Sequence, residues 1–201
     1  MTEHYYSQKP DVASSPKLWD FTLRGRTFRF KSDRGVFSKN EVDFGSRLLI
    51  EAFHLNEETE GNILDVGCGY GPIGLSIAAS YPEVTVEMTD INSRAVELAK
   101  ENAKTNGISN VVIYESDRFD RINSEQFAAI LTNPPIRAGK KVVQEIFEHS
   151  FARLNSGGEL WVIIQKKQGA PSAMEKLDQL FGNVETVQKK KGYYILKSKK
   201  D

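Results

Sequence analysis

The composition of this 201-residue chain is typical of one globular domain, with 39% hydrophobic residues and 27 basic residues that balance 27 acidic ones. The balanced charge gives no argument from net charge for a nucleic-acid or membrane partner, and the single cysteine excludes an internal disulfide. Three scattered histidines indicate no metal site, and the sequence has neither an apolar signal core near its start nor an apolar run of membrane-spanning length. We therefore expect a soluble cytoplasmic protein that binds no metal and no membrane.

The N-terminal part of the chain predicts an arm followed by a β-hairpin. Residues 1–16 are polar and contain two prolines, which favours an extended arm. Residues 17–34 alternate between aromatic and polar residues on either side of Arg24-Gly25-Arg26, which predicts two strands whose aromatic face packs on the core. The turn, the second strand and the segment after it carry, against the acid Asp33, the basic residues Arg24, Arg26, Arg29, Lys31, Arg34 and Lys39. A solvated hairpin face and a nucleic-acid contact both remain open for them.

An amphipathic helix is expected after the hairpin. Its apolar face should consist of Val42, Leu48, Leu49 and Phe53. Ser38 or Asn40 is expected to cap its N-terminus, because a serine or asparagine oxygen can accept a hydrogen bond from the free N–H groups of the first turn.

From residue 62 onward, strand-like and helix-like patterns alternate. The predicted strands cover 62–66, 84–89, 111–115, 127–132 and 159–165. The predicted helices between them cover 72–80, 92–105 and 141–154. This alternation predicts an α/β protein with a parallel sheet and helices on both of its faces. A helix over 171–181 then leads to strands over 184–188 and 193–197, which must be antiparallel because their link is so short.

The segment from Asn62 to Gly74 predicts a buried strand, a glycine-rich turn and the start of a helix at Pro72. Such a helix N-terminus offers free N–H groups to a polar ligand. Gly69 to Gly74 satisfies the GxGxxG fingerprint of dinucleotide-binding proteins. Asp65, however, precedes the glycines, and a carboxylate there suits an ammonium-bearing ligand and opposes a pyrophosphate. A dehydrogenase, a methyltransferase and a turn without a ligand remain open at this point.

Acidic and amide side chains follow the next strands, at the edge where an open parallel sheet binds its ligands. Asp90 could accept the hydroxyls of a ribose or cap the following helix, and Asp117 could accept an adenine amine or serve as an ordinary turn residue. Asn133-Pro134-Pro135 holds the backbone extended, so that the Asn133 oxygen and the Pro134 carbonyl can each take one hydrogen of a planar –NH2 group. Gripping both hydrogens favours a tetrahedral nitrogen, which is a better nucleophile.

Together with Gly35-Val-Phe-Ser38 and Asp43-Phe-Gly45, these motifs resemble the methyltransferase small domain of class I S-adenosylmethionine (SAM) methyltransferases. Within that group they are most similar to RsmC-like 16S ribosomal RNA guanine-N2 methyltransferases, over roughly residues 17–200. The resemblance implies a Rossmann-like, seven-stranded sheet whose last strand is antiparallel. It also implies one methyltransferase domain over 17–201, with the hairpin extension at 17–34 and the core at 60–201.

The resemblance assigns roles to individual residues. The cofactor SAM would be bound by Phe37, Ser38, Asp65, Gly67, Gly69, Asp90, Asp117 and Asn133. The catalytic residues would be Asn133, Pro134 and Pro135, and the substrate would contact Ile136, Arg137 and Lys140. Many family members that methylate amines have an aromatic residue where this chain has Ile136, so base stacking would have to come from elsewhere.

The expected function is SAM-dependent methylation of the exocyclic amine N2 of a guanine in structured RNA, in particular small-subunit ribosomal RNA. Arg137 and Lys140 could neutralise a phosphate beside a flipped nucleotide. A second basic cluster is expected from Lys189, Lys190, Lys191, Lys197, Lys199 and Lys200. Methylation of a protein glutamine and a non-catalytic RNA- or ribosome-binding module remain as alternatives, and the Asn-Pro-Pro segment argues against a dehydrogenase.

Overall fold

The computed structural model describes residues 12–38 and 40–201. Its strands are β1 (Lys17–Leu23), β2 (Arg26–Ser32), β3 (Asn62–Val66), β4 (Val86–Asp90), β5 (Val111–Glu115), β6 (Phe127–Thr132), β7 (Leu154–Gln165), β8 (Glu185–Lys190) and β9 (Tyr193–Lys199). Its helices are α1 (Phe44–Ala52), α2 (Pro72–Ser80), α3 (Ser93–Thr105), α4 (Lys140–Arg153) and α5 (Ala170–Phe181). Short 3-10 turns cover Ile136–Ala138 and Lys166–Gln168. In this part of the chain, no helix has both the length and the apolar character needed to cross a membrane.

Seven strands form one sheet in the order β5-β4-β3-β6-β7-β9-β8. β9 is antiparallel to both of its neighbours, and the pairs from β5 to β7 are parallel. The predicted seven-stranded sheet with an antiparallel last strand is therefore confirmed. From β3 the chain proceeds to β4 and β5 on one side and then crosses to β6 on the other. A crevice forms at the carboxyl ends of strands where the order reverses in this way.

Helices cover both faces of the sheet, as the alternating pattern predicts. In β6, Ala129 and Leu131 belong to the apolar core under α1, α2 and α3, while Ile130 belongs to the core under α4 and α5. Successive residues of a strand point to opposite faces, so a strand covered on both faces is apolar throughout. All six residues of β6 are accordingly buried.

The expected cap of the first helix is wrong. Asp43 occupies the N-cap of α1, and its side chain accepts a hydrogen bond from Ser46 N at 3.1 Å. Ser38 instead donates its hydroxyl to Glu41 O, and Asn40 accepts from the Lys17 ammonium, so both are used in the loop before the helix. An aspartate at this position also favours the helix electrostatically.

Two other boundaries differ from the sequence expectation. Val42 lies before α1 and Phe53 follows it, although both are buried with the apolar core. Helix α4 ends at Arg153 because β7 already begins at Leu154, where it pairs with Phe127 before an irregularity in the register. The periodicity of the apolar residues could not locate these ends.

The N-terminal hairpin forms as predicted, and β1 and β2 pair along their whole length. Phe28 and Phe30 are buried, and the Trp19 ring lies 5.8 Å from that of Tyr70, so the aromatic face packs on the core. Residues 12–16 of the expected arm have no regular structure, but Ser14 and Ser15 donate hydrogen bonds to Asp33. The rest of the expected arm, residues 1–11, lies outside the described residues, as does Lys39.

Several basic residues of the hairpin have partners within the protein. Arg24 donates to the Ile50 and Phe53 carbonyls at the end of α1, and Arg26 donates to Asn106 O. Ion pairs join Arg29 to Asp20 and Lys31 to Glu101. These contacts favour the solvated, structural interpretation of the hairpin charges over a nucleic-acid contact.

Asn102 of α3 joins the hairpin to the sheet. Its Oδ1 accepts from Lys31 N at 2.7 Å, and its Nδ2 donates to Lys31 O at 2.9 Å and to Tyr70 O at 2.8 Å. The Asn102 side chain is buried, so water cannot easily replace these three bonds. One side chain thus connects β2 to the glycine-rich turn after β3.

We expect Asn102→Ala to lower the free energy of unfolding in urea by about 3 kcal/mol, because it leaves buried backbone groups without partners. Asn106→Ala is the matched control, since Asn106 bonds Arg29 N and Arg29 O in the same way at a more exposed position. That substitution should cost about 1 kcal/mol. Equal losses in the two variants would contradict a special role for Asn102.

Candidate active site

A cavity opens at the carboxyl ends of β3, β4, β5 and β6. Its volume of about 650 Å³ is typical of a site for a small ligand. Most of the residues predicted from the sequence line it. They are Phe37, Ser38, Gly67, Gly69, Asp90, Asp117, Asn133, Pro134, Pro135, Ile136 and Arg137. Asp65 and Lys140 do not line this cavity.

The turn after β3 forms the floor of the cavity. Gly67 N and Cys68 N both donate to Thr89 O, and Gly69 N donates to the Asp90 carboxylate at 2.8 Å. Gly67 and Gly69 adopt φ of +77° and +57°, and a Cβ at either would meet nothing within 4 Å. The space beside them is thus available to a ligand. Burial raises the pKa of the Cys68 thiol, which argues against a nucleophilic cysteine.

Asp90 is oriented by the backbone of its own loop. Its two oxygens accept from Gly69 N and from Asn92 N, both at 2.8 Å. The cap of α3 is Asn92, whose side chain accepts from the first turn, so Asp90 does not cap the helix. A carboxylate has about four acceptor sites, and Asp90 therefore retains capacity for a ribose diol.

Asp65 lies behind the glycine-rich turn rather than on the cavity surface. Its Oδ2 accepts from Gly74 N at 2.8 Å, which fastens β3 to α2. Its Oδ1 is buried and has no hydrogen-bond partner within residues 12–38 and 40–201. The pKa of Asp65 is raised to about 7, mainly because the carboxyl is buried. The hydrogen bond from Gly74 lowers this pKa, and the nearby charge of Asp90 raises it further.

Asp117 is already paired. Arg118 donates to both of its carboxylate oxygens, Nε to Oδ1 at 2.9 Å and Nη2 to Oδ2 at 3.3 Å, and Arg118 also contacts Glu145. These contacts raise the pKa of Arg118, and the hydrogen bond to Asp117 has the largest effect. The sequence reasoning missed Arg118, which lines the cavity and competes for the oxygens expected to bind an adenine amine.

The Asn133-Pro134-Pro135 segment is held in two ways. Asn133 Nδ2 donates to Ser46 Oγ at 3.2 Å, and Asn133 Oδ1 has no partner in the described part of the chain. Pro135 has φ −75° and ψ 79°, close to an inverse γ-turn, and Pro134 O accepts from Ile136 N at 2.8 Å across it. Of the two expected amine acceptors, Oδ1 is available and the carbonyl keeps one lone pair.

Residues from other elements complete the cavity. Asp43 and Ser46 of the α1 cap line it, although the sequence reasoning gave them no role at the site. The Asp-x-x-Ser spacing of an N-cap could have pointed to this contact. Gln168 was also missed, although it closely follows a parallel strand, and the rule used for Asp90 would have found it.

Lys140 lies beside the site rather than in it. It is the first residue of α4 and lines a smaller adjacent cavity of about 130 Å³, which shares Ile136 and Gln168 with the main one.

The expected C-terminal lysine cluster is divided between the two edges of the sheet. Lys189, Lys190 and Lys191 lie at the carboxyl edge, where Lys166 N donates to Gly192 O. Lys197 pairs with Glu159 and Glu185, while Lys199 and Lys200 lie at the far end of β9. The antiparallel last strand predicted from the sequence already implies this separation, because β9 carries Lys199 and Lys200 away from the link before Tyr193.

The site chemistry fits S-adenosylmethionine. Asp90 on the cavity wall and Asp65 behind the glycine-rich turn give this side of the site an acidic character, which suits the positively charged methionine part and opposes a pyrophosphate. Asp117 adds less, because it pairs with Arg118. Asp65 Oδ1 and Thr89 Oγ1, both buried beside the glycine-rich turn, are polar atoms without partners among the described residues. Asp90 offers acceptors for a ribose, and the open glycine backbone allows a ligand to approach closely.

The fold and site together define a class I methyltransferase architecture. The family model for the methyltransferase small domain matches residues 27–197, and the chain belongs to that family. The predicted family, the predicted enzyme class of SAM-dependent methyltransferases and the predicted cofactor SAM are thus confirmed.

Named relatives share this domain. The chain is 64% identical over 201 residues, the full length of both proteins, to the uncharacterized protein YbxB of Bacillus subtilis. It is 32% identical to ribosomal RNA small subunit methyltransferase C of Vibrio parahaemolyticus, over 92% of this chain and 53% of that protein. It is 29% identical to ribosomal RNA large subunit methyltransferase G of Klebsiella pneumoniae, over 98% of this chain and 53% of that protein. The chain thus spans about half the length of these rRNA methyltransferases.

A solved structure gives the same relationship. The T. thermophilus 16S rRNA N2 G1207 methyltransferase RsmC, in complex with AdoMet (SAM) and guanosine, superposes with a TM-score of 0.83 at 26% identity. The match covers 96% of this chain and 52% of the T. thermophilus chain.

The raised pKa of Asp65 predicts a pH-dependent stability difference between the wild type and Asp65→Asn. A carboxyl whose folded pKa exceeds its unfolded pKa contributes stability below the unfolded value of 3.8, and this is lost as the pH rises through about 7. The unfolding free energy of the wild type, minus that of the variant, should therefore fall between pH 4 and 7. Urea unfolding at several pH values measures it, and a difference independent of pH would contradict the raised pKa of the buried Asp65.

Proposed function

We propose that this chain transfers a methyl group from SAM to the exocyclic amine N2 of a guanine in structured RNA, and that the RNA is small-subunit ribosomal RNA. Residues 17–201 would act as one catalytic domain, in the cytoplasm. The observation that carries the proposal is the position of Asn133, whose Oδ1 has no partner among the described residues, on the wall of a cavity whose opposite side carries Asp90.

The acidic side would bind SAM, which supplies a sulfonium-bound methyl group. Asp90 would accept from the ribose hydroxyls, and Gly67 and Gly69 would border the methionine part. Asp65 would act through the turn, because it lies behind the glycines and its buried carboxylate favours a positive charge in front of it. Asp117 could accept from the adenine amine only by sharing or giving up its contact with Arg118.

The Asn-Pro-Pro side would hold the amine. Asn133 Oδ1 and the second lone pair of the Pro134 carbonyl would each accept one amine hydrogen, which directs the nitrogen lone pair into the cavity. The two rings of Pro134 and Pro135 and the Ser46 contact keep these acceptors from rotating away. Positioning of this kind supplies a large share of the rate in a transfer between two bound groups.

Several observations support an RNA guanine as the acceptor. The T. thermophilus relative, whose title names guanosine and N2 of G1207 in 16S rRNA, is similar over nearly the whole chain. Two small-subunit methyltransferases C are 31 and 32% identical to this chain over aligned regions that cover 59 and 53% of their own lengths. Arg137 and Ile136 line the cavity beside the amine site, where a base and its phosphate would enter. A guanine inside a helix would have to flip out to reach Asn133.

A direct test uses ribosomal RNA from a strain that lacks this gene. The purified protein and SAM with a labelled methyl group are added to that RNA and to assembled small subunits, and the RNA is digested to nucleosides for mass spectrometry. Labelled N2-methylguanosine from the small-subunit RNA is the expected product. Label in a different nucleoside, in large-subunit RNA alone or in a protein glutamine would contradict the proposal.

Asn133→Ala should slow methyl transfer on the order of 100-fold, because the amine loses one of its two acceptors. The variant should bind S-adenosylhomocysteine about as tightly as the wild type. Ser46→Ala removes only the hydroxyl that orients Asn133 and should slow transfer less. Single-turnover rates and calorimetry measure both quantities, and a large loss of S-adenosylhomocysteine affinity in Asn133→Ala would refute the assigned role.

A further inference from the structure

Six exposed basic residues lie along one half of the carboxyl edge of the sheet. We call them the basic strip, and they are Arg137, Lys140, Lys166, Lys167, Lys190 and Lys191. They come from the segment between β6 and the start of α4, from the turn after β7, and from the end of β8 with its link to β9. The hydrogen bond from Lys166 N to Gly192 O, 2.8 Å long, ties the last two together. Arg137 and Gln168 line the cavity, which connects the strip to the candidate active site.

The charge of this edge is divided. Segments 133–141, 165–169 and 188–193 contain no acidic residue. The acidic residues of the site, Asp65, Asp90 and Asp117, follow or belong to β3, β4 and β5 in the other half. Within the part of the chain that the structure describes, no residue of the basic strip forms an ion pair. A row of uncompensated cations next to a cavity attracts a polyanion.

Lys191 adopts a backbone conformation that its residue type disfavours. Lys191 and Gly192 have φ of +49° and +80° in a two-residue hairpin link, where Asn-Gly is the preferred pair. Arg24 has the same φ in the first hairpin, but its guanidinium there bonds the carbonyls at the end of α1. The Lys191 ammonium lies 5.0 Å from the centre of the Phe44 ring. Phe44 follows Asp43 in the sequence, and Asp43 lines the cavity. A lysine in this strained position places its ammonium against Phe44, the neighbour in sequence of a cavity-lining residue.

Two helices also begin beside the basic strip. Gly139 and Gly169 are the N-caps of α4 and α5, and neither helix has a side-chain cap. Their free N–H groups therefore add partial positive charge close to Lys140 and Lys167. The strip thus combines exposed side-chain cations with backbone N–H donors, which is the mixture of contacts that phosphate groups receive in nucleic-acid complexes.

We infer that the RNA strand leaves the methylation cavity over β7, β9 and β8, with its phosphates on the basic strip. This inference rests on the proposed function and specifies the direction of the RNA on the protein. The β4 and β5 half stays clear of RNA, because its acidic residues serve the cofactor. Guanine entry past Ile136 and phosphate contact along the strip then use one continuous surface.

The test compares two triple variants that lose the same charge. One is Lys166→Gln/Lys167→Gln/Lys190→Gln in the basic strip. The control is Lys100→Gln/Lys104→Gln/Lys199→Gln, which changes exposed lysines on α3 and at the far end of β9. The probe is a labelled RNA hairpin with guanines in a single-stranded loop, and its dissociation constant is measured against salt concentration. Calorimetry with S-adenosylhomocysteine reports separately on the cofactor site.

The strip variant should bind the RNA at least about tenfold more weakly, with a salt-dependence slope smaller by about two, while the control and S-adenosylhomocysteine binding stay unchanged. Lys191→Asn should weaken RNA binding and still unfold at a higher urea concentration, because asparagine suits the turn. Equal RNA affinities of the two triple variants would overturn the inferred RNA contact with the basic strip and leave the proposed RNA substrate unaffected. Failure of the wild type to bind the RNA, with S-adenosylhomocysteine bound normally, would overturn the strip and the RNA substrate together.

Discussion

The candidate site depends on the reversal of strand order at β3. Because β4 and β5 lie on one side of β3 and β6 and β7 on the other, two sets of loops diverge above the carboxyl ends and leave a crevice between them. The glycine-rich turn after β3 forms the floor of this crevice. Asp90 and Asn133 are far apart in sequence, yet they line one cavity because their strands flank β3. Every proposed contact with cofactor or amine follows from this arrangement.

Electrostatics divides the same edge into two functional halves. Asp65 and Asp90 lie close enough that the charge on Asp90 adds to the raised pKa of Asp65, and Asp90 lines the cavity that would receive a cationic ligand. The basic strip, in contrast, meets no acidic partner in the described residues. A methyl donor that is positively charged and an acceptor embedded in a polyanion would therefore approach from opposite halves. The cavity between them is where the two reactants would meet.

Much of the fold was predictable from the sequence because local patterns carried it. The apolar runs of β3 and β6 and the glycines after β3 identify a parallel sheet with a ligand edge, and Asn133-Pro134-Pro135 identifies the methyltransferase family. The contacts between distant segments were not predictable in the same way. Ser46 holds Asn133, and Asp65 lies behind the glycine-rich turn instead of lining the cavity, because both positions depend on packing between elements. The pairing of Arg118 with Asp117 depends on the conformation of the loop after β5.

The ends of elements were the other weak point. Ser38 and Asn40 are good capping residues by type, but Asp43 takes the cap because the loop before α1 uses the other two for its own hydrogen bonds. The lysines near the C-terminus look like one cluster in the sequence. β9 separates them, because an antiparallel strand carries its last residues to the opposite edge.

The central claim is that the cavity at the carboxyl ends of β3 to β6 binds SAM through its acidic half. Calorimetric titration with S-adenosylhomocysteine, the demethylated and chemically stable product, tests this most directly, with Asp90→Asn and NAD as controls. We expect saturable binding to the wild type, a clear loss of affinity in Asp90→Asn and no binding of NAD. Absence of S-adenosylhomocysteine binding, or binding of NAD in its place, would contradict a SAM site in this cavity.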